Sequence, residues 1–73
     1  MYKVIVRWYT DEIGEKFCNI SPESDFYQEL RCRAWPKTEE EVEKEIYKIL
    51  DNMPENHYGK FQDQTTIQHI LGN

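Results

Sequence analysis

Between Thr38 and Met53 the apolar residues Val42, Ile46, Ile49, Leu50 and Met53 recur every three or four positions, with Glu and Lys filling the other side. That period predicts an amphipathic helix whose one apolar stripe needs a covering surface. Its start is marked by Thr38 three residues before Glu41, the spacing of a capping box in which hydroxyl and carboxylate each satisfy the other residue's amide. Glu39, Glu40 and Glu41 suit the positive end of the helix dipole, and Pro54 stops the far end because it has no N–H to give. Glu43 lies off the stripe and is expected to tolerate truncation.

The first half of the chain alternates instead. From Tyr2 to Thr10, Tyr2, Val4, Val6 and Trp8 share one parity and Lys3, Ile5, Arg7 and Tyr9 the other, a strand pattern rich in β-branched and aromatic residues. Asp11 to Glu15 predicts a three-residue hairpin loop with Gly14 at the left-handed position. If Asp11 closes on Glu15, Trp8 faces Cys18 and Val6 faces Ile20, which gathers apolar groups on one face; a slip of one residue would scatter them. Ser21-Pro22 can open a helical turn through Phe26 to Glu29. Glu29 to Trp35 alternates again, with Leu30, Cys32 and Ala34 toward the core and Arg31, Arg33 and Trp35 away from it. A third antiparallel strand is expected there, with Cys32 opposite Cys18 as a second reduced core thiol.

Two readings fit Asp63 to Gly72. Asp63 as N-cap, Ile67, Ile70 and Leu71 at helical spacing and Gly72 past the end predict a short helix. The run Thr65-Thr66-Ile67 suits an edge strand. The order Asp63, Thr65, Thr66, Ile67, His69 also resembles the start of the recognition helix in the DNA-binding domain of bacterial replication initiators. That resemblance implies a helix contacting DNA; it spans about one helix, and the basic surroundings of that family are missing. The expected fold is α+β, one domain over residues 1–73: a three-stranded antiparallel meander on one long amphipathic helix, with a short C-terminal helix or edge strand.

Composition narrows the function. The chain has 73 residues and a formal charge of −5, with 14 Asp and Glu against 9 Lys and Arg. Net acidity disfavours generic contact with nucleic acid or acidic membranes and suits a basic protein partner. The absence of a signal-like start or an apolar run of spanning length leads to an expected cytoplasmic location. Cys18 and Cys32 are too few for a disulfide scaffold, although a redox-switched pair is a third, remote reading. His57 and His69 sit in no metal motif, the three glycines are isolated, and no nucleophile with a base is specified, so no enzyme, cofactor or metal is expected.

Two surfaces are candidates for binding. The outward parity collects Lys3, Ile5, Arg7, Tyr9, Phe17, Arg31, Arg33 and Trp35, and Arg with aromatic rings is what interface hot spots and single-strand stacking platforms are made of. An acidic array, Asp11, Glu12 and Glu15 at the hairpin with Glu39, Glu40, Glu41, Glu43, Glu45 and Asp51 on the helix, could mimic phosphate for a basic protein. The residues expected to meet a partner are Arg7, Tyr9, Arg31, Arg33, Trp35, Glu40 and Glu43. Small size, acidity and exposed rings are similar in style to small phage-encoded inhibitors, including anti-CRISPR proteins. The expected function is therefore stoichiometric binding and inhibition of a nucleic-acid-handling protein by a phage or mobile element. The alternative is single-stranded nucleic-acid binding on the aromatic and Arg face.

Overall fold

A computed structural model describes residues 1–72. The hairpin forms in the expected register: strand β1 (Tyr2–Thr10) pairs antiparallel with β2 (Lys16–Ile20), Trp8 opposite Cys18 and Val6 opposite Ile20. Its loop closes through the Asp11 N–H to the Glu15 carbonyl at 2.9 Å, with Gly14 at φ 86°. The Asp11 carboxylate also accepts from the amides of Ile13 and Glu15, at 3.1 and 2.8 Å, so the turn is pinned by its first side chain.

The third strand is not the one expected. Glu29 to Trp35 is no strand: the chain makes a one-turn helix α1 (Tyr27–Leu30) and then an irregular strap from Arg31 to Lys37. Within that segment Cys32 is in the left-handed region at φ 60°, which breaks an extended path, and Phe26 at φ 62° bends the chain just before α1. A meander strand would also have to turn back along the outer edge of β2, and the chain instead keeps following β1. Beyond β2, the Ser21 N–H bonds the Ile5 carbonyl at 2.8 Å, the Ser24 hydroxyl bonds both polar groups of Ile5, and Asp25 does the same for Lys3 through its amide and carboxylate. Leu30 still reaches the core, fully buried, whereas Cys32 and Ala34 are exposed, so Cys32 is neither a core thiol nor the partner of Cys18.

The strand that completes the sheet comes from the tail, as β3 (Thr65–Leu71), parallel to β1 with Val4 opposite Ile67 and Val6 opposite His69. The sheet is therefore mixed, in the order β2-β1-β3, and not an antiparallel meander. The helical alternative for 63–71 fails, and with it the resemblance to a recognition helix: Asp63 ends a one-turn helix α3 (Lys60–Asp63) instead of capping a new one. The physical reason is backbone satisfaction. Val4 and Val6 are wholly buried, β2 and the bend after it serve only one edge of β1, and the other edge needs a partner. The β-branched residues Thr65, Thr66, Ile67 and Ile70 make this tail a better strand than helix.

Helix α2 (Glu39–Asp51) is thirteen residues long and supplies the crossover that a parallel pair requires. Val42, Ile46 and Leu50 are fully buried against Val4, Val6, Trp8, Cys18, Ile20 and Leu30, with Ile49 and Met53 partly buried beside them. The Thr38 hydroxyl accepts from the Glu41 amide at 3.3 Å, and it donates to the Glu41 carboxylate at 2.9 Å, so only one half of the capping box forms. Tyr2, Phe26 and Phe61 close the end of the core, their ring centroids 4.8 to 5.3 Å apart. No helix of the described residues is long and apolar enough to cross a membrane.

Because Ile46 sits at the centre of this helix–sheet contact with no exposed surface, Ile46→Ala should lose about 2–5 kcal/mol of unfolding free energy. Lys48→Ala on the exposed side should stay within about 0.5 kcal/mol. Urea denaturation of both measures the difference, and equal midpoints would contradict this packing.

Candidate functional site

The strap determines where the Arg and aromatic side chains go. After the turn of α1, the left-handed Cys32 sits between Arg31 and Arg33, and the strap then runs beside β2 to Trp35. Lys37 ties it down by a 2.6 Å bond to Glu15 at the hairpin, which holds the Lys37 ammonium above its usual pKa through that hydrogen bond and charge. Facing the strap across an open groove of about 390 Å³ are Arg7 and Tyr9 of β1 and Asn19 of β2. Five of the residues expected to meet a partner, Arg7, Tyr9, Arg31, Arg33 and Trp35, therefore line one cavity.

These are all three arginines of the chain, and among the described residues none has a carboxylate within 4 Å. The Arg31 guanidinium lies 5.6 Å from the Tyr27 ring centroid, a cation–π contact that sequence parity did not foresee because Tyr27 belongs to the turn of α1. Arg31 and Arg33 hold only long bonds of 3.4 Å, from Arg31 Nε to the Cys32 sulfur and from Arg33 Nε to the Glu29 carbonyl. Their remaining N–H groups, planar and forked, are free to take a carboxylate or phosphate in two-point contact. Beside the groove, Tyr9 and Phe17 stack at 5.3 Å with planes 20° apart, and Phe17 is 42% exposed.

Other expected members of this face lie outside it. Ile5, on the outward parity, is buried beneath the bend that pairs with it, and Lys3 is exposed but does not line the groove. A larger hollow of about 570 Å³ lies between the strap and the end of α2. Its charged lining, Glu29 and Glu45 against Arg33 and Lys48, is mixed in sign and selects no ligand charge.

Glu40 and Glu43 do not line the arginine groove. Glu40 sits 3.6 Å from Lys44 at the surface. Glu43 is half-buried and paired: its carboxylate is 2.7 Å from His69 Nε2, while His69 Nδ1 is 2.9 Å from the indole nitrogen of Trp8. An indole N–H can only donate, so Nδ1 accepts and the ring proton on Nε2 faces Glu43. Three elements, β1, β3 and α2, are bolted together by this chain, and Glu39 stands 3.8 Å from the same ring. With both ring nitrogens occupied, His69 has no lone pair left for a substrate proton. His69 reads as a surface residue in the sequence; only the pairing of β3 with β1 reveals its position.

Among the described residues no group of three or more His, Cys, Asp or Glu side chains is gathered so as to hold a metal ion. Cys18 is buried, and desolvation pushes its thiol up to about 11, which makes it a poor nucleophile at neutral pH. No protein-family description, curated protein or solved structure matches this chain.

Since Glu43 completes the His69 and Trp8 chain, Glu43→Ala should destabilise by about 1–2 kcal/mol, contrary to the tolerance its helix position suggests. Glu40→Ala should cost no more than about 0.5 kcal/mol. Urea denaturation at neutral pH compares them, and a neutral Glu43→Ala would show the chain to be without energetic weight.

Proposed function

We propose that this chain is a small, non-catalytic binding module that occupies and inhibits a nucleic-acid-handling protein in the cytoplasm, as phage or mobile-element inhibitors of the anti-CRISPR kind do. The observation that carries the proposal is the gathering of every arginine in an acidic chain into one aromatic-lined groove, without a carboxylate partner among the described residues. Arginine in a structure with 14 acidic side chains is easily neutralised at home. Arginines without a carboxylate partner, set in one groove with Tyr9, Tyr27 and Trp35, have the composition of an interface hot spot. The anchor is the groove, and the carboxylates of Glu40 and its neighbours on α2 tune approach to a basic partner surface.

A second reading uses the same groove for a single nucleic-acid strand. It draws on the Tyr9 and Phe17 stack, which offers a ring face next to free guanidinium groups. The surrounding charge of −5 works against it, since phosphate binding depends on net counterion release.

The two are separated with immobilised wild-type protein and an Arg31→Glu/Arg33→Glu variant, both side chains being exposed and outside the core. Wild type should capture a defined protein from host lysate and the variant should lose at least about tenfold of that capture, as expected when two hot-spot residues of roughly 1 kcal/mol or more are reversed. Fluorescence anisotropy of labelled oligonucleotides should show no binding. Oligonucleotide binding that weakens steeply with salt would replace the proposal by the second reading, and equal capture by both proteins would remove the groove from it.

A further inference from the structure

The two edges of the sheet are treated differently. Along β2 the strap lies close, with the Cys18 sulfur 4.0 Å from the Pro36 carbonyl and Lys37 bonded to Glu15, and β2 itself is short and carries Lys16. These are the devices that keep an edge from pairing with another chain. The β3 edge has none of them. Its seven residues, Thr65–Leu71, contain no proline and no Asp, Glu, Lys or Arg in a chain that is 32% charged, and their pairing with β1 runs without a bulge.

The outward backbone groups of β3 follow from its inward ones. The Tyr2 N–H bonds the Gln64 carbonyl at 2.8 Å and the Gly72 N–H bonds the Trp8 carbonyl at 2.7 Å, so in a parallel ladder the even-numbered residues face β1. Thr65, Ile67, His69 and Leu71 then turn their N–H and C=O groups to the open edge. Leu71, at the end of this row, is 84% exposed.

We propose that this edge pairs with the same edge of a second copy of the chain, antiparallel about a two-fold axis through Gln68. That register sets Thr65 against Leu71 and Ile67 against His69, and so engages every outward group of the row. It also places Thr66 opposite Ile70 on the other face and Gln68 opposite Gln68, whose amides can bond one another. No charged pair meets along the strands, and Leu71 gains cover from the partner strand. An isologous contact of this kind closes on itself, which an open edge prone to endless pairing must do to stay soluble. The neutral strand carries nothing that would select a charged foreign peptide, whereas it is complementary to itself. A pair of seven-residue strands is smaller than the roughly 1,200–2,000 Å² of a standard stable interface, so the dimer is reversible. With −5 on each copy, and Glu39 and Glu43 beside His69, association should strengthen as salt is added.

Sedimentation over a concentration series tests it. Wild type should rise from 8.9 kDa toward twice that mass. Gln68→Glu and Gln68→Lys, both at an exposed side chain, should each stay monomeric because like charges meet on the axis, with circular dichroism unchanged. An equimolar mixture of the two variants should recover the dimer. Wild type that is monomeric throughout, as an edge reserved for a foreign strand would be, overturns the proposal. So do single variants that dimerise like wild type, or a mixture that fails to.

Discussion

Strand β1 is buried on both of its neighbours' terms, and the rest of the molecule follows from the need to satisfy its backbone. Val4 and Val6 have no exposed surface and Ile5 has almost none, so polar groups on either side of the strand are out of reach of water. One edge is served by β2 and then by the Ser21 to Asp25 bend, where hydroxyl and carboxylate stand in for strand amides. The other is served by β3. A chain of this length can bury one helix on one sheet, and α2 is both that helix and the crossover that lets β3 arrive parallel.

The arginine groove arises beside this core. The segment that alternation assigns to a third strand runs along the β2 side as an unpaired strap, and the sheet is completed by β3 on the opposite edge of β1. Its left-handed Cys32 is a conformation that costs a non-glycine residue about 1 kcal/mol or more. Such strain persists where the surroundings hold it, and here it sits between the two arginines that the groove brings to Arg7. Some of the acidic side chains, by contrast, have partners within the fold: Glu15 on Lys37, Glu41 on its own cap, Glu43 on His69.

Much of this was legible in the sequence. The stripe of α2, its Thr38 start, the Gly14 turn and the pairing of Trp8 with Cys18 depend on local chemistry and a two- or four-residue period, which a single sequence displays. Strand parity groups Arg31, Arg33 and Trp35 with Arg7 and Tyr9, and the structure brings them to one groove by another route, as strap residues with no parity at all. The difference has a physical source: Glu29 to Ala34 alternates in polarity but is small and charged, whereas Thr65 to Ile70 carries the β-branched side chains, and the free edge of β1 that they fill lies more than fifty residues away in the sequence. His69 and Glu43 were unreadable for the same reason, because their bond exists only once β3 lies beside β1 under α2.

Proton NMR contacts from the Trp8 indole test the central claim, that the tail closes the sheet as a strand parallel to β1. The account predicts cross-peaks from the Trp8 ring and its N–H to His69 and Leu71, with Val4 close to Ile67. Cross-peaks from Trp8 to Thr65 and from Tyr2 to Leu71 would mean an antiparallel tail, and helical contacts through 65–71 would mean no third strand; either result would contradict it.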